Sequence, residues 1–407
     1  MRILFANHTG AWSGAEVSLL RVIAGLRDSH AVSVACPDEG PLADAVRGAG
    51  LDLLPLPGVD ASLRIHPVQT PVGVAQLAAA GWALAGAARR AAPDVIHANT
   101  ARAGLMAAIA RRRGAAPFVV RAHEHLPPST VGRSVLGVLS RSAEAVVANS
   151  DYTAARLDEV LGRPVAVRVY NSIDHDRFDP SVTRPAGLRE RLGIGPEAHL
   201  LGHVAQITPW KGQDVSVRML AQLRAEGIDV HLALVGQIAF GGSGVRHDNH
   251  AFLESLRGLV AELGVGDAVH FLGQRDDVPE ILAELDLSLL PSWEEPFGLA
   301  VVESMAMGVP PLVTSVGAAP ELVQDRVTGR LLPPRDPAAW AAAARELLSQ
   351  PELLRRIGAA GPGAAARFRD DVHAREMLGI YERAAGATAE PVAPREPKAE
   401  VGSAWRS

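Results

Sequence analysis

The chain has 407 residues, too many for one ordinary hydrophobic core, so its length predicts two domains with a cleft between them. The net charge of −5 is divided into +3 over residues 1–178 and −8 over the rest, which is not basic enough for a nucleic-acid binder. A single cysteine, Cys36, excludes an intramolecular disulfide, and the start MRILFANHTG lacks the apolar run of a secretory leader. Both features favour the cytoplasm.

Short apolar runs bounded by turn residues alternate along the chain with Ala-rich segments of helical length. This alternation predicts parallel strands joined by crossover helices, and so an α/β fold of two doubly wound, Rossmann-like domains. The predicted strands are, in chain order, RILFA, AVSVACP, DVIHAN, PFVVRAH, AVVANS, VAVRVYN, HLLGHVA, VHLALVG, AVHFLG, LSLLPS and PPLVTS.

The predicted domain boundaries follow from this order. Residues 1–175 form the first domain and residues 176–371 the second, joined by a polar segment rich in Pro and Gly. Residues 372–386 read VHAREMLGIYERAAG, which predicts one amphipathic helix. One option is that this helix packs back on the first domain. Residues 387–407 lack apolar periodicity, which predicts a disordered tail.

Two segments raise the question of a membrane. The window VGVAQLAAAGWALAGAA (72–88) is mostly Ala and Gly, so it predicts a buried helix rather than a membrane span. Three arginines (111–113) close an Ala-rich helix, and residues 131–147 carry apolar side chains at helical spacing. A cation at a helix C-terminus and a core-facing side explain both patterns. Peripheral contact with anionic lipid at the inner face of the membrane is the alternative.

The stretch SWEEPFGLAVVESMAMGVP (292–310) places Glu295 and Glu303 on either side of an apolar run. Because an ionised carboxylate is costly to bury without partners, Glu303 is solvated, paired or functional. Pro296 is compatible with the first turn of a helix and Gly308 with its end. The sequence therefore predicts Glu295 at the start of a helix and Glu303 in its interior.

Such a helix leaves backbone amides free at its N-terminus, where they and the helix dipole bind phosphate. The amides concerned are those of Phe297, Gly298 and Leu299. A carboxylate two turns along is suited to accept hydrogen bonds from vicinal sugar hydroxyls, so one helix suits a whole sugar nucleotide. The alternative is an acid at Glu295 that the helix dipole favours, with Glu303 at the surface, and spacing alone does not separate the two readings.

Lysine is almost absent from this chain. Of 40 basic residues 38 are arginine, and the two lysines are Lys211, in VAQITPWKGQD (204–214), and Lys398 in the tail. A lysine kept between a predicted strand and a predicted helix indicates a site that needs a compact ammonium group, such as a diphosphate site. Chance is the alternative.

Several of these segments together resemble family 4 of the glycosyltransferases. They are SGAE near the N-terminus, PWKG, NSIDHDRF, PSWEEPFGLAVVESMAMGVPPLVTSVGAAPELV and TGRLLPPRDP. The resemblance covers almost the whole chain, and the two glutamates with seven residues between them are its specific part. It implies the GT-B fold and a metal-independent, cofactor-free transfer, with retained anomeric configuration, from a nucleotide-diphosphate sugar to a hydroxyl acceptor. Whether that acceptor is a glycan, a lipid-linked sugar or a small molecule stays open.

The resemblance also implies roles for matching residues. Glu303 would bind the ribose hydroxyls of the donor, Glu295 the hydroxyls of its sugar, and Lys211 would neutralise the diphosphate. Gly14 matches a glycine that lets the backbone approach the donor phosphate or the acceptor. His123 matches a histidine near the reacting sugar, so the catalytic group would be His123, Glu295 and Lys211.

The donor site would include three more residues. Gln274 and Arg275 match the segment whose backbone meets the nucleotide base. Gln206 stands where the family commonly has an arginine, five residues before the lysine. One of the two cations that usually bind the diphosphate is therefore missing. A second departure is that Gly317 is followed by alanine where the family commonly has a glycine pair.

Other hypotheses remain open. The sequence HEH (123–125) offers two imidazoles to a metal but no third ligand at suitable spacing. Asp174 and Asp176 form an Asp-x-Asp pattern that holds a metal in another class of glycosyltransferases, although a structural role is preferred for it here. A phosphorylase of the same fold would use Lys211 or Lys398 for pyridoxal phosphate. The last alternative is a catalytically inactive protein that binds nucleotide sugars.

Overall fold

The computed structural model describes residues 1–60, 69–123, 129–238 and 247–386, and the predicted tail 387–407 lies outside them. The first half of the described chain alternates strands with helices. Its elements are β1 (Arg2–Ala6), α1 (Gly14–Leu26), β2 (Ala31–Cys36), α2 (Pro41–Gly48), β3 (Asp52–Pro55), α3 (Gln69–Ala91), β4 (Val95–Ala98), α4 (Ala101–Arg111), β5 (Phe118–Ala122), α5 (Thr130–Ser142), β6 (Ala145–Ala148), α6 (Asp151–Leu161) and β7 (Ala166–Arg168).

The strands of the first half pair in parallel in the order β3-β2-β1-β4-β5-β6-β7. Helices cover both faces of this sheet, so its central strands are nearly fully buried and mostly apolar, with His97 on β4 and Arg121 on β5 as buried polar exceptions. The strand order reverses between β1 and β4. In doubly wound sheets ligands gather at such a switch point, outside the carboxyl ends of the strands. Asn7 and Asn99 follow those two strands directly.

The second half repeats the architecture. Its elements are α7 (Leu188–Arg191), β8 (His199–Val204), α8 (Gln213–Ala225), β9 (Val230–Val235), α9 (Asn249–Glu262), β10 (Val269–Gly273), α10 (Val278–Leu282), β11 (Leu287–Leu290), α11 (Leu299–Ala306), β12 (Pro311–Thr314), α12 (Ala319–Leu322), β13 (Arg330–Leu332), α13 (Pro337–Leu348), α14 (Pro351–Ala365) and α15 (Asp370–Ala384). The strands form a second parallel sheet in the order β10-β9-β8-β11-β12-β13. Its switch point lies between β8 and β11.

All eleven strands expected from the sequence are present, and two further strands occur in the described residues. These two are β3, DLLP, and β13, RLL, and each lies at an edge of its sheet. Both are short, and β3 is largely open to solvent, so neither has the long apolar run by which a central strand is recognised.

The last helix, α15, packs on the first domain. A Cβ added to Gly25 of α1 would lie 2.6 Å from the Cβ of Ala374 on α15. The glycine therefore permits the two helices to approach closely. The Tyr381 hydroxyl lies 2.7 Å from Nδ1 of His97 on β4, and Arg121 Nη1 on β5 lies 3.0 Å from Nε2 of His373. The side chain of Tyr381 is completely buried, so α15 contributes to the core of the first domain.

Helix α3 contains the apolar window noted in the sequence. By length and composition alone residues 70–91 are able to cross a bilayer, and 39% of the most apolar stretch is buried. In the structure the helix packs on α4, where a Cβ on Gly81 would lie 2.7 Å from Cβ of Ile109. Val72, Val74 and Trp82 remain exposed. The helix therefore has a packed side and an apolar side facing solvent.

Buried histidines make the fold sensitive to acid. Burial lowers the pKa of His97 and of His203 to about 3, and that of His373 also lies well below its usual range. The unfolded chain protonates these groups near the ordinary pKa of about 6.5 whereas the folded chain does not, so each costs stability as the pH falls below that value. The expected loss is on the order of 1 to 2 kcal/mol per histidine at about pH 5.

Urea unfolding of wild type and His203→Gln at several pH values measures this effect. The difference in unfolding free energy between the two proteins is expected to shift in favour of His203→Gln as the pH falls from about 7 to about 5. Comparing the two proteins cancels the contribution of buried carboxylates, whose raised pKa acts in the opposite direction. His250→Gln, at an exposed position on α9, is the control, and an equal shift in both variants would contradict the assignment.

Candidate active site

An ion pair stands at the switch point of the second sheet. Lys211 lies in a 3-10 turn, Pro209–Lys211, after β8, and Glu295 lies in the loop after β11. The Lys211 Nζ is 2.6 Å from Oε2 of Glu295, which also accepts a hydrogen bond from Ser292 Oγ at 3.2 Å. Nζ lies 4.1 Å from the ring centroid of Trp210, and the side chains of the pair are 13% and 8% exposed. The lysine is thus held by a carboxylate and an aromatic face.

Two glycines make this arrangement possible. Gly212 and Gly317 both have positive φ, of 76° and 69°. A Cβ on Gly212 would lie 2.3 Å from the carbonyl oxygen of Pro291, and one on Gly317 would lie 2.4 Å from that of Glu295. The backbone on both sides of the ion pair therefore approaches more closely than any side chain allows.

Helix α11 starts later than the sequence indicated. Gly298, with φ 103°, is its N-cap and Leu299 its first residue, so the expectation that Pro296 occupies the first turn is wrong. Instead the Pro296 carbonyl turns to the first domain and accepts hydrogen bonds from Ser150 Oγ at 2.6 Å and Thr153 Oγ1 at 3.2 Å. The left-handed conformation of Gly298 makes the difference, because it ends the loop and begins the helix at one residue.

Glu303 lies inside α11, as expected from its spacing. Within the described residues no side chain or amide donates a hydrogen bond to its carboxylate. Burial raises its pKa to about 7, and the charges of Arg177 and Arg21 act against that rise. Arg21 itself pairs with Asp174 at 2.8 Å. The Asp-x-Asp pattern is thus tied to an arginine, and the described residues contain no group of three or more His, Cys, Asp or Glu side chains able to hold a metal.

The two domains come into contact at the start of α11. A Cβ on Gly14, the first residue of α1, would lie 3.5 Å from Cδ1 of Leu299. The start of α1, which carries SGAE, therefore faces the N-terminus of α11 across the cleft. Backbone amides there stay free, since no described carbonyl accepts a hydrogen bond from Phe297, Gly298 or Leu299.

His123 directly follows β5 on the first-domain side of the cleft. Its Nε2 is 3.1 Å from Oδ1 of Asn99, and its carbonyl accepts from Nδ2 of Asn149 at 3.2 Å. Burial lowers the pKa of His123 well below its usual range, and the positive charge of Arg121 adds to the effect. The side chain is therefore a neutral imidazole. The other two residues of HEH lie outside the described part of the chain.

The remaining predicted donor residues lie apart from the ion pair or have partners of their own. The Gln274 side chain bonds with that of Gln237, and Arg275 Nε donates to Oδ1 of Asp277 at 2.7 Å. Arg275 is thus committed to a neighbouring carboxylate. The side chain of Gln206, two residues after β8, is half-buried, and its backbone carbonyl accepts a hydrogen bond from Nε2 of Gln213 at 2.8 Å.

Sequence reasoning missed a carboxylate that joins the domains. Glu321, in α12, accepts hydrogen bonds from the backbone amides of Asp151 at 2.8 Å and Tyr152 at 2.7 Å. It caps α6 of the first domain from the second domain, next to the bonds that hold Pro296. Its Pro-Glu dipeptide was the only signal, because a partner 170 residues away leaves no trace in local spacing.

Comparisons with known proteins agree with this geometry. The family model described as Glycosyltransferase Family 4 matches residues 12–177, and the one described as Glycosyl transferases group 1 matches residues 187–363. A D-inositol 3-phosphate glycosyltransferase of Stackebrandtia nassauensis is 32% identical over 307 residues, which are 71% of this chain and 68% of that protein. One from a Nocardioides species is 30% identical over 321 residues, 74% of this chain and 69% of its own length.

Solved structures give the same result. Anabaena Alr3699/HepE in complex with UDP-glucose has a TM-score of 0.80 and 26% identity, over 94% of this chain and all of that one. Sucrose-phosphate synthase from Thermosynechococcus elongatus has a TM-score of 0.77 at 21% identity, over 95% and 100% of the two chains, which supports the fold alone. The predicted family, the GT-B fold and the glycosyltransferase activity are confirmed, and the chain belongs to family 4 of the glycosyltransferases.

Proposed function

We propose that the enzyme is a retaining, metal-independent glycosyltransferase that moves a sugar from a UDP-sugar to a hydroxyl acceptor. The observation that carries the proposal is the Lys211–Glu295 pair, which places a cation and an acceptor of hydrogen bonds beside free helix amides. The UDP and UDP-glucose complexes of the structural relative HepE support uracil as the base. GDP- and ADP-sugars are the alternatives.

In this proposal the second domain holds the donor. Lys211 and the amides at the start of α11 bind the diphosphate and stabilise the charge that develops on it. Glu295 accepts hydrogen bonds from the sugar, and Glu303 accepts them from the ribose. The backbone of Gln274 and Arg275 borders the base. Gln206 adds only a neutral amide to the phosphate site.

The first domain holds the acceptor, with Gly14 leaving room for the backbone to approach and His123 orienting the sugar. The acceptor oxygen attacks the anomeric carbon on the face that the diphosphate leaves. A bond from that oxygen forms, the bond to the phosphate oxygen breaks, and the hydroxyl proton passes to the departing diphosphate. D-inositol 3-phosphate, the substrate in the names of two relatives, is the first acceptor to test.

A cytoplasmic location with peripheral contact to anionic membrane completes the proposal. Exposed apolar side chains on α3 and the exposed arginines 111–113 at the end of α4 support the contact. Arg113 lies over the ring of Trp82, 4.5 Å from its centroid. Absence of binding to anionic vesicles in a sedimentation assay would contradict the proposed membrane contact.

One assay tests the proposal directly. Nucleotide release is measured from UDP-, GDP- and ADP-glucose with candidate acceptors, with and without excess EDTA. We expect release from UDP-glucose that is unchanged by the chelator, and a product whose anomeric configuration by NMR is that of the donor. Loss of activity on chelation, with rescue by Mn²⁺ or Mg²⁺, would contradict metal independence, and an inverted product would contradict retention.

The titration of Glu303 makes donor binding dependent on pH. Its pKa is raised to about 7 by burial, and acceptance of two ribose hydrogen bonds requires the ionised form. Affinity for UDP-glucose is therefore expected to fall about tenfold from about pH 8 to about pH 6. UDP-glucose replaces UDP here because its esterified diphosphate does not titrate in this range.

Calorimetry in buffers of different ionisation enthalpy measures this affinity and the protons released. Glu303→Gln should weaken binding at about pH 8 by roughly 1.5 to 3 kcal/mol and abolish the pH dependence. Glu254→Gln, at an exposed position on α9, is the matched control. A pH dependence that survives in Glu303→Gln would exclude the ribose role.

The ion pair predicts opposite effects for its two members. In the free enzyme Glu295 neutralises Lys211, so Glu295→Gln should release the lysine for phosphate and strengthen UDP binding by about 1 kcal/mol while sugar transfer is lost. Lys211→Ala should weaken UDP binding by roughly 1.5 to 3 kcal/mol and abolish most turnover. If Lys211→Ala binds UDP as well as wild type does, the phosphate site is wrong.

Gln206→Arg tests the same site by adding a cation. Since Arg275 is paired with Asp277, the new guanidinium should be available to the phosphates and tighten UDP binding by roughly 1 to 2 kcal/mol. Turnover need not rise, because tighter product binding slows release. Weaker binding would show that another cation already fills the space.

A further inference from the structure

A chain of side-chain hydrogen bonds connects the SGAE motif to His123. Glu16 Oε1 accepts from Nδ2 of Asn7 at 3.0 Å, and Oδ1 of Asn7 accepts from Nδ2 of Asn99 at 3.2 Å. Oδ1 of Asn99 lies 3.1 Å from Nε2 of His123. The side chains of Glu16, Asn7 and Asn99 are almost completely buried. The chain runs across the switch point of the first sheet, from α1 through the ends of β1 and β4 to the end of β5.

The direction of these bonds is fixed by groups that are only able to accept. The amide nitrogen of Asn7 donates to the Glu16 carboxylate and to the carbonyl of Thr9 at 2.8 Å, so its oxygen faces Asn99. The amide nitrogen of Asn99 then donates to Asn7 and to the carbonyl of Ala15 at 3.2 Å. The oxygen of Asn99, which also has a hydrogen bond with His97, faces Nε2 of His123 at 3.1 Å. Because this oxygen carries no hydrogen, a contact at that distance is favourable only if Nε2 of His123 carries the proton.

We propose that Glu16, through Asn7 and Asn99, holds His123 in the tautomer with its proton on Nε2, so that Nδ1 is a hydrogen-bond acceptor. Among the described residues none bonds to Nδ1. This inference rests on the proposed function, in which that nitrogen accepts a hydrogen bond from a hydroxyl of the transferred sugar. Glu16, Asn7 and Asn99 are then positioning residues, which act through the histidine.

The charges around His123 agree with a neutral ring. Arg121, on the same strand, is fully buried and keeps its positive charge beside it, and His97 on β4 and His373 on α15 are themselves neutral. The one carboxylate of the hydrogen-bonded chain, Glu16, stands two amides away. Because a carboxylate in direct contact would favour the charged imidazolium, its placement at a distance sets the tautomer without protonating the ring.

Nitrogen NMR of protein labelled with ¹⁵N-histidine measures the tautomer directly, and the signal lost in His123→Asn assigns the residue. Wild type is expected to show a neutral ring protonated on Nε2 at neutral pH. A ring protonated on Nδ1, or on both nitrogens, overturns the proposal. In Glu16→Gln one acceptor-only group is lost while the carbonyls of Thr9 and Ala15 remain, so a minor population protonated on Nδ1 is expected. An unchanged spectrum would show that Glu16 does not set the tautomer.

Asn99→Asp is expected to change the charge of the His123 ring. The new carboxylate is unable to donate to Asn7 or Ala15 and should draw a second proton onto His123, so the ring becomes charged. Activity is expected to be at least tenfold lower at neutral pH and to recover as the pH rises. Ser13→Ala is the matched control, because Ser13 bonds the other carboxylate oxygen of Glu16 and caps α1. It should lower thermal stability and leave the tautomer unchanged, and a changed tautomer would contradict the proposed route.

Two substitutions at His123 separate the two nitrogens in turnover. His123→Asn is able to place an amide oxygen near the position of Nδ1, whereas His123→Gln places its amide near Nε2 and leaves no acceptor at Nδ1. We expect His123→Asn to retain at least tenfold more activity than His123→Gln, and the reverse order would overturn the role of Nδ1. If no nucleotide sugar is turned over at all, the proposed function fails while the NMR result still decides the tautomer.

Discussion

Glu321 of the second domain caps α6 of the first domain, and this contact helps to fix the position of the cleft. The first amides of a helix have no partner within it, and here a carboxylate of the second domain accepts from two of them. Burial raises the pKa of this carboxyl, and the amides of Asp151 and Tyr152 counter that rise. The adjacent bonds from Ser150 and Thr153 to the Pro296 carbonyl hold the loop that carries Glu295. The loop that carries Glu295 is thus positioned partly by the other domain.

That constraint explains how an acidic domain is able to bind an anionic donor. The second half of the chain carries an excess of acidic residues, so its overall field repels a diphosphate. In the proposed site the favourable interactions are short-range instead: they come from Lys211, which is largely buried, from the free amides at the start of α11, and from the arginines near Glu303. Because such terms act over a few ångströms, placing the loop correctly matters more than the net charge of the domain.

The sequence predicts well what short-range patterns determine. Central strands are found because parallel strands buried on both faces are continuous apolar runs. Lys211 and Glu295 were each predicted as site residues, from a rare residue type and a known motif, but the ion pair between them was not predicted. The start of α11 was misplaced because Pro296 suits a first helical turn, whereas Gly298 determined the true boundary by its positive φ. The bonds from Asn7 to Asn99 and from Glu321 to α6 were out of reach, since they join residues 92 and 170 positions apart.

The two domains use buried carboxylates in different ways, and the difference follows from what each must bind. In the second domain Glu295 contacts Lys211 directly, so both charges are kept within reach of an incoming diphosphate sugar. In the first domain Glu16 acts through two amides, which pass on the direction of a hydrogen bond without its charge. A carboxylate beside the acceptor would compete with the donor phosphates for Lys211 or repel them. In the proposed mechanism a neutral, oriented imidazole avoids both effects and still presents a lone pair, and the second domain supplies the cation that meets the leaving diphosphate.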